Sequence, residues 1–184
     1  MRVITGSAKG RRLKTAEGRE VRPTAEKIKE AMFSMIQFEL EGAVVLDLFA
    51  GSGQLGIEAL SRGAKKAYFA DNSAASIALV RDNLAHTGFT DRAEVCHMPN
   101  AAFLKGTAAC FDVAFLDPPY EKNLIARSLP ALTERMSESG VIVCEHERGC
   151  RLPEEENGFR IAKSRDHGKT GITVYRRIGE TDGE

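Results

Sequence analysis

Apolar positions along the chain switch repeatedly between the spacing of strands and the spacing of helices. The run Val44-Val45-Leu46-Asp47-Leu48-Phe49-Ala50 ends in Gly51-Ser52-Gly53, and Leu55, Ile57, Ala59 and Leu60 follow at helical intervals. A buried strand, a tight turn and a helix are the opening unit of a parallel α/β sheet. Ahead of it, Arg2 to Thr15 alternates weakly around Ser7-Ala8-Lys9-Gly10, which predicts a β-hairpin with basic residues near its tip. Thr24 is then a candidate N-cap, and Ile28, Met32, Met35, Ile36 and Leu40 form one helical stripe that Gly42 ends, with Lys27, Lys29 and Glu30 on other faces.

Downstream the alternation continues. Lys65 to Asp71 predicts a second strand, Ala74 to Thr87 a helix closed by Gly88, and Ala93 to Met98 a third strand leading into the turn Pro99-Asn100-Ala101. Phe111 to Leu116 predicts a fourth strand, Leu124 to Met136 an amphipathic helix, and Gly140 to His146 a fifth strand. Residues 151–158 read as a polar loop, and Phe159 to Ser164 with Gly171 to Arg177 as a closing antiparallel pair. In such sheets ligands sit at the carboxyl ends of the strands, so Asp47 to Gly53 should face a small molecule.

Composition narrows the class. With 184 residues and 42% hydrophobic content the chain holds one full core and is short for two domains. No apolar run approaches the roughly 18 residues of a membrane span, and Met1 to Gly6 lacks a signal-peptide core, so a cytoplasmic protein is expected. Cys96, Cys110, Cys144 and Cys150 contain no C-x-x-C pair and are expected to be buried free thiols; the four histidines are scattered, and no metal is expected. The net charge is zero, yet residues 1–22 carry seven basic side chains against two acidic ones. A basic segment on a neutral chain suits a phosphate backbone, and equally a solvated hairpin.

Two ligands compete for the glycine turn. Gly51, Gly53 and Gly56 spell G-x-G-x-x-G and Asp71 follows Gly51 by 20 residues, which alone would fit a dinucleotide. A second stretch, Phe111-Asp112-Val113-Ala114-Phe115-Leu116-Asp117-Pro118-Pro119-Tyr120, is another buried strand, ending in Asp-Pro-Pro-Tyr. With both motifs the chain resembles the S-adenosylmethionine-dependent methyltransferases that modify exocyclic amines of bases. Arg22-Pro23-Thr24, followed by Glu30 and Phe33, further resembles the bacterial small-subunit (16S) ribosomal RNA guanine-N2 methyltransferases.

That resemblance spans nearly the whole chain and implies a Rossmann-like α/β fold, with a seven-stranded, mostly parallel sheet of order 3-2-1-4-5-7-6. Residues 1–178 would be one domain, 1–41 the basic hairpin and helix and 42–178 the cofactor-binding and catalytic core, with 179–184 a disordered tail. It implies cofactor contacts from Asp47, Phe49, Ala50, Gly51, Ser52, Gly53, Asp71, Asn72, Asn100, Ala101 and Asp117. Asp71 would accept from both ribose hydroxyls and Asn100 from the adenine amine. Asp117, Pro118, Pro119 and Tyr120 would carry the chemistry. The Asp117 carboxylate and Pro118 carbonyl would hold an amine whose lone pair is otherwise delocalised, and Tyr120 would stack on the base. Glu145 and His146 are a further polar pair near the rim, structural or functional.

Lys9, Arg11, Arg12, Arg22, Thr24 and Lys169 would touch RNA, along with Arg165, His167 and Thr170. DNA adenine methyltransferases share D-P-P-Y and generally need a further recognition region. Only 46 residues separate Asp71 from Asp117 and 67 follow it, which leaves no room for one. The expected reaction is therefore methylation of guanine N2 in small-subunit ribosomal RNA, by a monomer. An adenine-N6 methyltransferase and a non-catalytic RNA-binding protein are the alternatives.

Overall fold

A computed structural model describes residues 1–16, 23–119 and 123–178. One sheet runs through the molecule, built from β1 (Val44–Asp47), β2 (Lys66–Asp71), β3 (Ala93–His97), β4 (Phe111–Leu116), β5 (Met136–Glu147), β6 (Glu155–Glu156), β7 (Phe159–His167) and β8 (Thr170–Arg177). Its order is β3-β2-β1-β4-β5-β8-β7-β6. The first five strands are parallel, and β8 enters antiparallel between β5 and β7. This is the class I methyltransferase architecture that the motifs imply, with eight strands instead of seven. The added strand lies in the expected polar loop. Asn157 and Gly158 both take positive φ, 46° and 78°, so they close a two-residue hairpin between β6 and β7, a use that an Asn-Gly pair signals.

Helices cover both faces. On one lie α1 (Pro23–Ser34), α2 (Gln54–Ser61) and α3 (Ala74–Thr87); on the other lie α4 (Asn100–Gly106) and α5 (Leu124–Thr133). Because β1 and β4 are covered on both sides, their apolar residues run without interruption, and Val45, Leu46, Val113, Ala114, Phe115 and Leu116 are all fully buried. Phe33 of α1 packs on Phe115 with ring centroids 5.1 Å apart. A Cβ on Gly56 would lie 2.3 Å from the Phe69 ring, so glycine is what lets α2 press against β2.

Several boundaries differ from the sequence expectation. Helix α1 stops at Ser34: Ile36 N–H bonds the Phe33 carbonyl and Glu39 N–H the Ile36 carbonyl, so the chain tightens into short turns while Ile36 and Leu40 stay buried. The helix also begins at Pro23, so Thr24 lies inside its first turn and not before it. Asn100 and Ala101 open α4, a seven-residue helix where a plain turn was expected. Helix α5 ends at Thr133, and β5 begins at Met136, earlier than Gly140. All four cysteines are free, but Cys110 and Cys150 are exposed and Cys96 is half-buried, so the expectation of burial holds only for Cys144.

The N-terminal hairpin reduces to a single bridge between Arg2 and Arg12 and is docked along its length. Glu58 of α2 accepts from Ile4 N–H (2.8 Å) and Thr5 N–H (3.0 Å). Ser61 Oγ accepts from Ala8 N–H and donates to the Thr5 carbonyl. A Cβ on Gly6 would fall 1.8 Å from the Ser61 carbonyl oxygen, so only glycine admits this approach. Lys29, expected on an outer face, is instead buried at 1% exposure, bonding the Arg2 carbonyl at 2.7 Å and standing 3.4 Å from Glu58.

Candidate active site

Parallel strands bring their carboxyl ends to one edge, and there Asp47, Asp71, Asp117 and Glu145 gather from β1, β2, β4 and β5. The turn after β1 is held by Ala50 N–H on the Ala70 carbonyl (3.1 Å) and Gly53 N–H on the Ala50 carbonyl (2.7 Å). Gly51 and Gly53 take φ of 54° and 77°, values that other residues rarely adopt. Around Gly51 a Cβ would meet only the Phe49 carbonyl oxygen, at 4.0 Å, so this backbone is open to a ligand; at Gly53 it would press on Val80, Ile57 and Phe69.

Two acids fasten the turn. Asp71 accepts from Gly51 N–H at 2.9 Å and Ser73 N–H at 2.8 Å, one on each oxygen, which leaves further lone pairs for other donors. Ser73, not Asp71, caps α3 through its hydroxyl on Ser76 N–H. Asp47 is buried and accepts from Gly56 N–H at 3.0 Å. Burial pushes its carboxyl up to about 8, opposed by that hydrogen bond and reinforced by the Asp117 and Asp71 charges. Phe49 and Ser52 are half-buried and Ala50 is buried, while Asn72 and Ala101 are exposed.

Asn100 Oδ1 is buried without a hydrogen-bond partner, and so is Gln54 Oε1 at the start of α2. Buried acceptors left in this state carry a free-energy cost that a ligand N–H would relieve. Gln54 is a residue that sequence reasoning passed over; its position directly after Gly53 was the available signal.

On the other side of the rim, Asp117 is half-buried, Pro118 buried and Pro119 exposed, immediately past the end of β4. A cleft of about 450 Å³ opens beside them, lined among others by Pro118, Pro119, Asn123, Leu124, Glu145 and Arg148. His146 is buried, its Nδ1 2.9 Å from the Glu147 carbonyl and its Nε2 2.9 Å from Thr173 Oγ1. Since a carbonyl only accepts, Nδ1 carries the proton. Gly171 makes room for that ring, for a Cβ there would lie 2.3 Å from it. His146 is thus a structural bolt between β5 and β8. Arg22 and Tyr120 lie outside the described residues, as does the Thr24 side chain.

The basic residues fall into two places. Lys9, Arg11 and Arg12 are exposed, but the loop before them docks on the C-terminal end of α2, and Arg11 donates to the His86 carbonyl at the C-terminal end of α3 at 2.6 Å. Both helices run away from the rim. Lys169 sits instead in the β7–β8 turn, where its carbonyl accepts from Arg148 N–H, next to the cleft.

A family model described as Conserved hypothetical protein 95 matches residues 1–176. A Bacillus subtilis protein described as putative rRNA methyltransferase YlbH is 40% identical, the match covering 97% of this chain and 100% of that one. Ribosomal RNA small subunit methyltransferase D of Haemophilus influenzae is 34% identical over 96% and 92% of the two chains. The solved structure of putative methyltransferase yhhF from Escherichia coli superposes with a TM-score of 0.84 at 27% identity, covering 98% of this chain and 99% of that one. The chain belongs to this methyltransferase family. S-adenosylmethionine fits the residues present as cofactor: Gly51 leaves open backbone, Asp71 keeps acceptor capacity, and Asn100 offers an unsatisfied buried acceptor.

Proposed function

We propose that the chain methylates the exocyclic N2 amine of a guanine in small-subunit ribosomal RNA. The observation that carries transfer to an exocyclic amine is the Asp117-Pro118-Pro119 segment at the end of β4, beside the 450 Å³ cleft, and guanine is the base that the resemblance implies. The names of the relatives, an rRNA methyltransferase and a small-subunit methyltransferase, support the substrate class.

When bound, S-adenosylmethionine supplies a methyl group on an already activated sulfonium carbon. The chain's part is to bind and orient. Gly51 to Gly53 and Asp71 form the cofactor cradle, and Asn100 Oδ1 accepts the adenine amine. The Asp117 carboxylate and the Pro118 carbonyl accept the two N–H groups of the target amine, localising its lone pair and aiming it. Asp117 also stabilises the positive charge that the nitrogen gains, and the proton then leaves to Asp117 or to water. Pro119 offers no N–H to compete for the site.

Methyl incorporation from labelled cofactor into undermethylated small subunits, naked ribosomal RNA and duplex DNA, followed by nucleoside analysis, tests the reading. N2-methylguanosine from RNA or subunits is expected; N6-methyladenine would overturn the assignment of the base, and no transfer would overturn the enzyme. Asp117→Ala should lower transfer by about 100- to 1,000-fold with cofactor affinity nearly unchanged. Near-normal transfer by that variant would remove Asp117 from the mechanism.

A further inference from the structure

Holding an exocyclic amine does not select a base. Guanine N2, adenine N6 and cytosine N4 all present two N–H groups beside a ring nitrogen, and Asp117 with the Pro118 carbonyl would accept from any of them. What differs is the adjacent ring nitrogen. Guanine N1 carries a hydrogen and donates, whereas adenine N1 and cytosine N3 are bare and accept. Selectivity must therefore come from the group standing beside Asp117.

Strand register identifies that group. In the parallel pair of β4 and β5, Phe115 aligns with Val143 and Leu116 with Cys144. Continued one residue past the end of β4, that register sets Asp117 beside Glu145, on neighbours about 4.8 Å apart. Side chains alternate along a strand, and Phe115 and Val143 both enter the core on the α1 and α2 side, so the two acids two residues later share a face. Glu145, Pro118 and Pro119 also border the cleft, which opens on the α5 side of the rim, so the two acids stand at its edge. The Glu145 backbone is fixed on the far side as well, since Glu145 pairs with Ile172 of β8 and His146 with Gly171.

We propose that Glu145 is the residue that selects guanine, its carboxylate accepting the N1–H while Asp117 and the Pro118 carbonyl hold N2. This assignment rests on the guanine-N2 reading above. Two carboxylates side by side complement the unbroken row of donors on the N1–N2 edge. The same carboxylate faces the bare lone pair of adenine N1 or cytosine N3 and repels it, so the selection acts by exclusion as well as by attraction. Seating Glu145 on a strand between β4 and β8 gives the carboxylate the rigidity that such discrimination needs.

The test replaces the acceptor guanine by 2-aminopurine, which keeps the N2 amine and lacks the N1 hydrogen. The acceptor is first mapped by nucleoside and fragment analysis of small subunits methylated by the wild-type enzyme. RNA carrying guanine or 2-aminopurine at that position is then assembled by ligation, and single-turnover transfer is measured. The wild type should prefer guanine by about 100-fold. In Glu145→Gln the carboxamide can turn its oxygen to the guanine N1–H or its N–H to a bare N1, so transfer to 2-aminopurine should rise and the preference for guanine should shrink to within a few-fold. In Glu145→Ala the preference should level without reversing. Cofactor affinity of each variant, measured by titration, should stay within about twofold of wild type, since the cofactor cradle is built from other residues.

A Glu145→Ala enzyme that binds cofactor and retains the wild-type preference for guanine overturns the proposal. Failure of the wild type to form N2-methylguanosine overturns the guanine reading itself, and the assignment with it, so the two failures are told apart by the wild-type enzyme alone.

Discussion

Asp47 sits at the end of β1 with its carboxyl buried and raised to about 8, mainly by burial. An unfolded aspartate titrates near 3.9, so between pH of about 4 and about 8 the unfolded chain has released a proton that the folded chain retains. Asp47 therefore penalises folding increasingly as pH rises through that window, by about 1.4 kcal/mol per pH unit for one proton, the reverse of the usual effect of a paired carboxylate. Asp47→Asn keeps an acceptor for Gly56 N–H and has no proton to lose. Denaturant unfolding of both proteins from pH 4 to pH 9 should show no difference at pH 4, a growing advantage for the variant up to pH 8, and a constant one beyond. An advantage of equal size at every pH would place the titration elsewhere. The motif marked Asp47, Gly51, Gly53 and Asp71 in the sequence, because a turn and its flanking acids are local and their spacing is visible. Gln54 left no such mark, for what singles it out is a buried orphan oxygen; Glu145 was legible as one of a polar pair near the rim, but what separates it from His146 is a neighbour 28 residues earlier, Asp117.

Elements were legible where each is defined by its own residues. Helix α3 runs over Ala74–Thr87 as its spacing and Gly88 predicted, and the five parallel strands lie where the apolar runs are. Contacts between distant elements were not legible, and Lys29 is the instance with the largest consequence. On α1 it reads as a surface cation, yet it is buried against Glu58, which also accepts from Ile4 and Thr5 N–H and from Arg62 Nε at 2.8 Å. Burial depresses the Lys29 amine below its usual range, while Glu58 opposes the shift. Removing one partner of such a pair leaves an uncompensated buried charge. Glu58→Gln should cost about 3 to 5 kcal/mol in denaturant unfolding, and adding Lys29→Met should recover much of that loss. A cost below about 1 kcal/mol would mean that water reaches Lys29 and that the pair does not anchor the hairpin.

At the scale of the molecule, the hairpin's docking bears on how RNA would lie. Thr5 to Ala8 and Arg11 are fastened to the far ends of α2 and α3, whereas Asn83 of α3 bonds both the Lys14 backbone and the Ser52 carbonyl of the cofactor turn. Helix α2 is eight residues long, so the loop lies about 12 Å below the turn along that axis. Lys169, by contrast, stands at the rim beside the cleft. An RNA that delivers its base to the cleft can meet Lys169 at once, but must extend down the α2–α3 side to meet Arg12. Salt dependence separates the two, because taking one cation away from a bound phosphate flattens the plot of log affinity against log salt by roughly one unit or slightly less. On the reading that both sites hold phosphate, Lys169→Ala and Arg12→Ala should each flatten the slope by about that amount, and the double variant by about twice as much. If only Lys169→Ala flattens it, the RNA footprint ends at the rim, and Arg12 belongs to a solvated face of the hairpin. Arg11, whose guanidinium already bonds the end of α3, is the residue to leave in place, since its removal would disturb the dock and confuse the two outcomes.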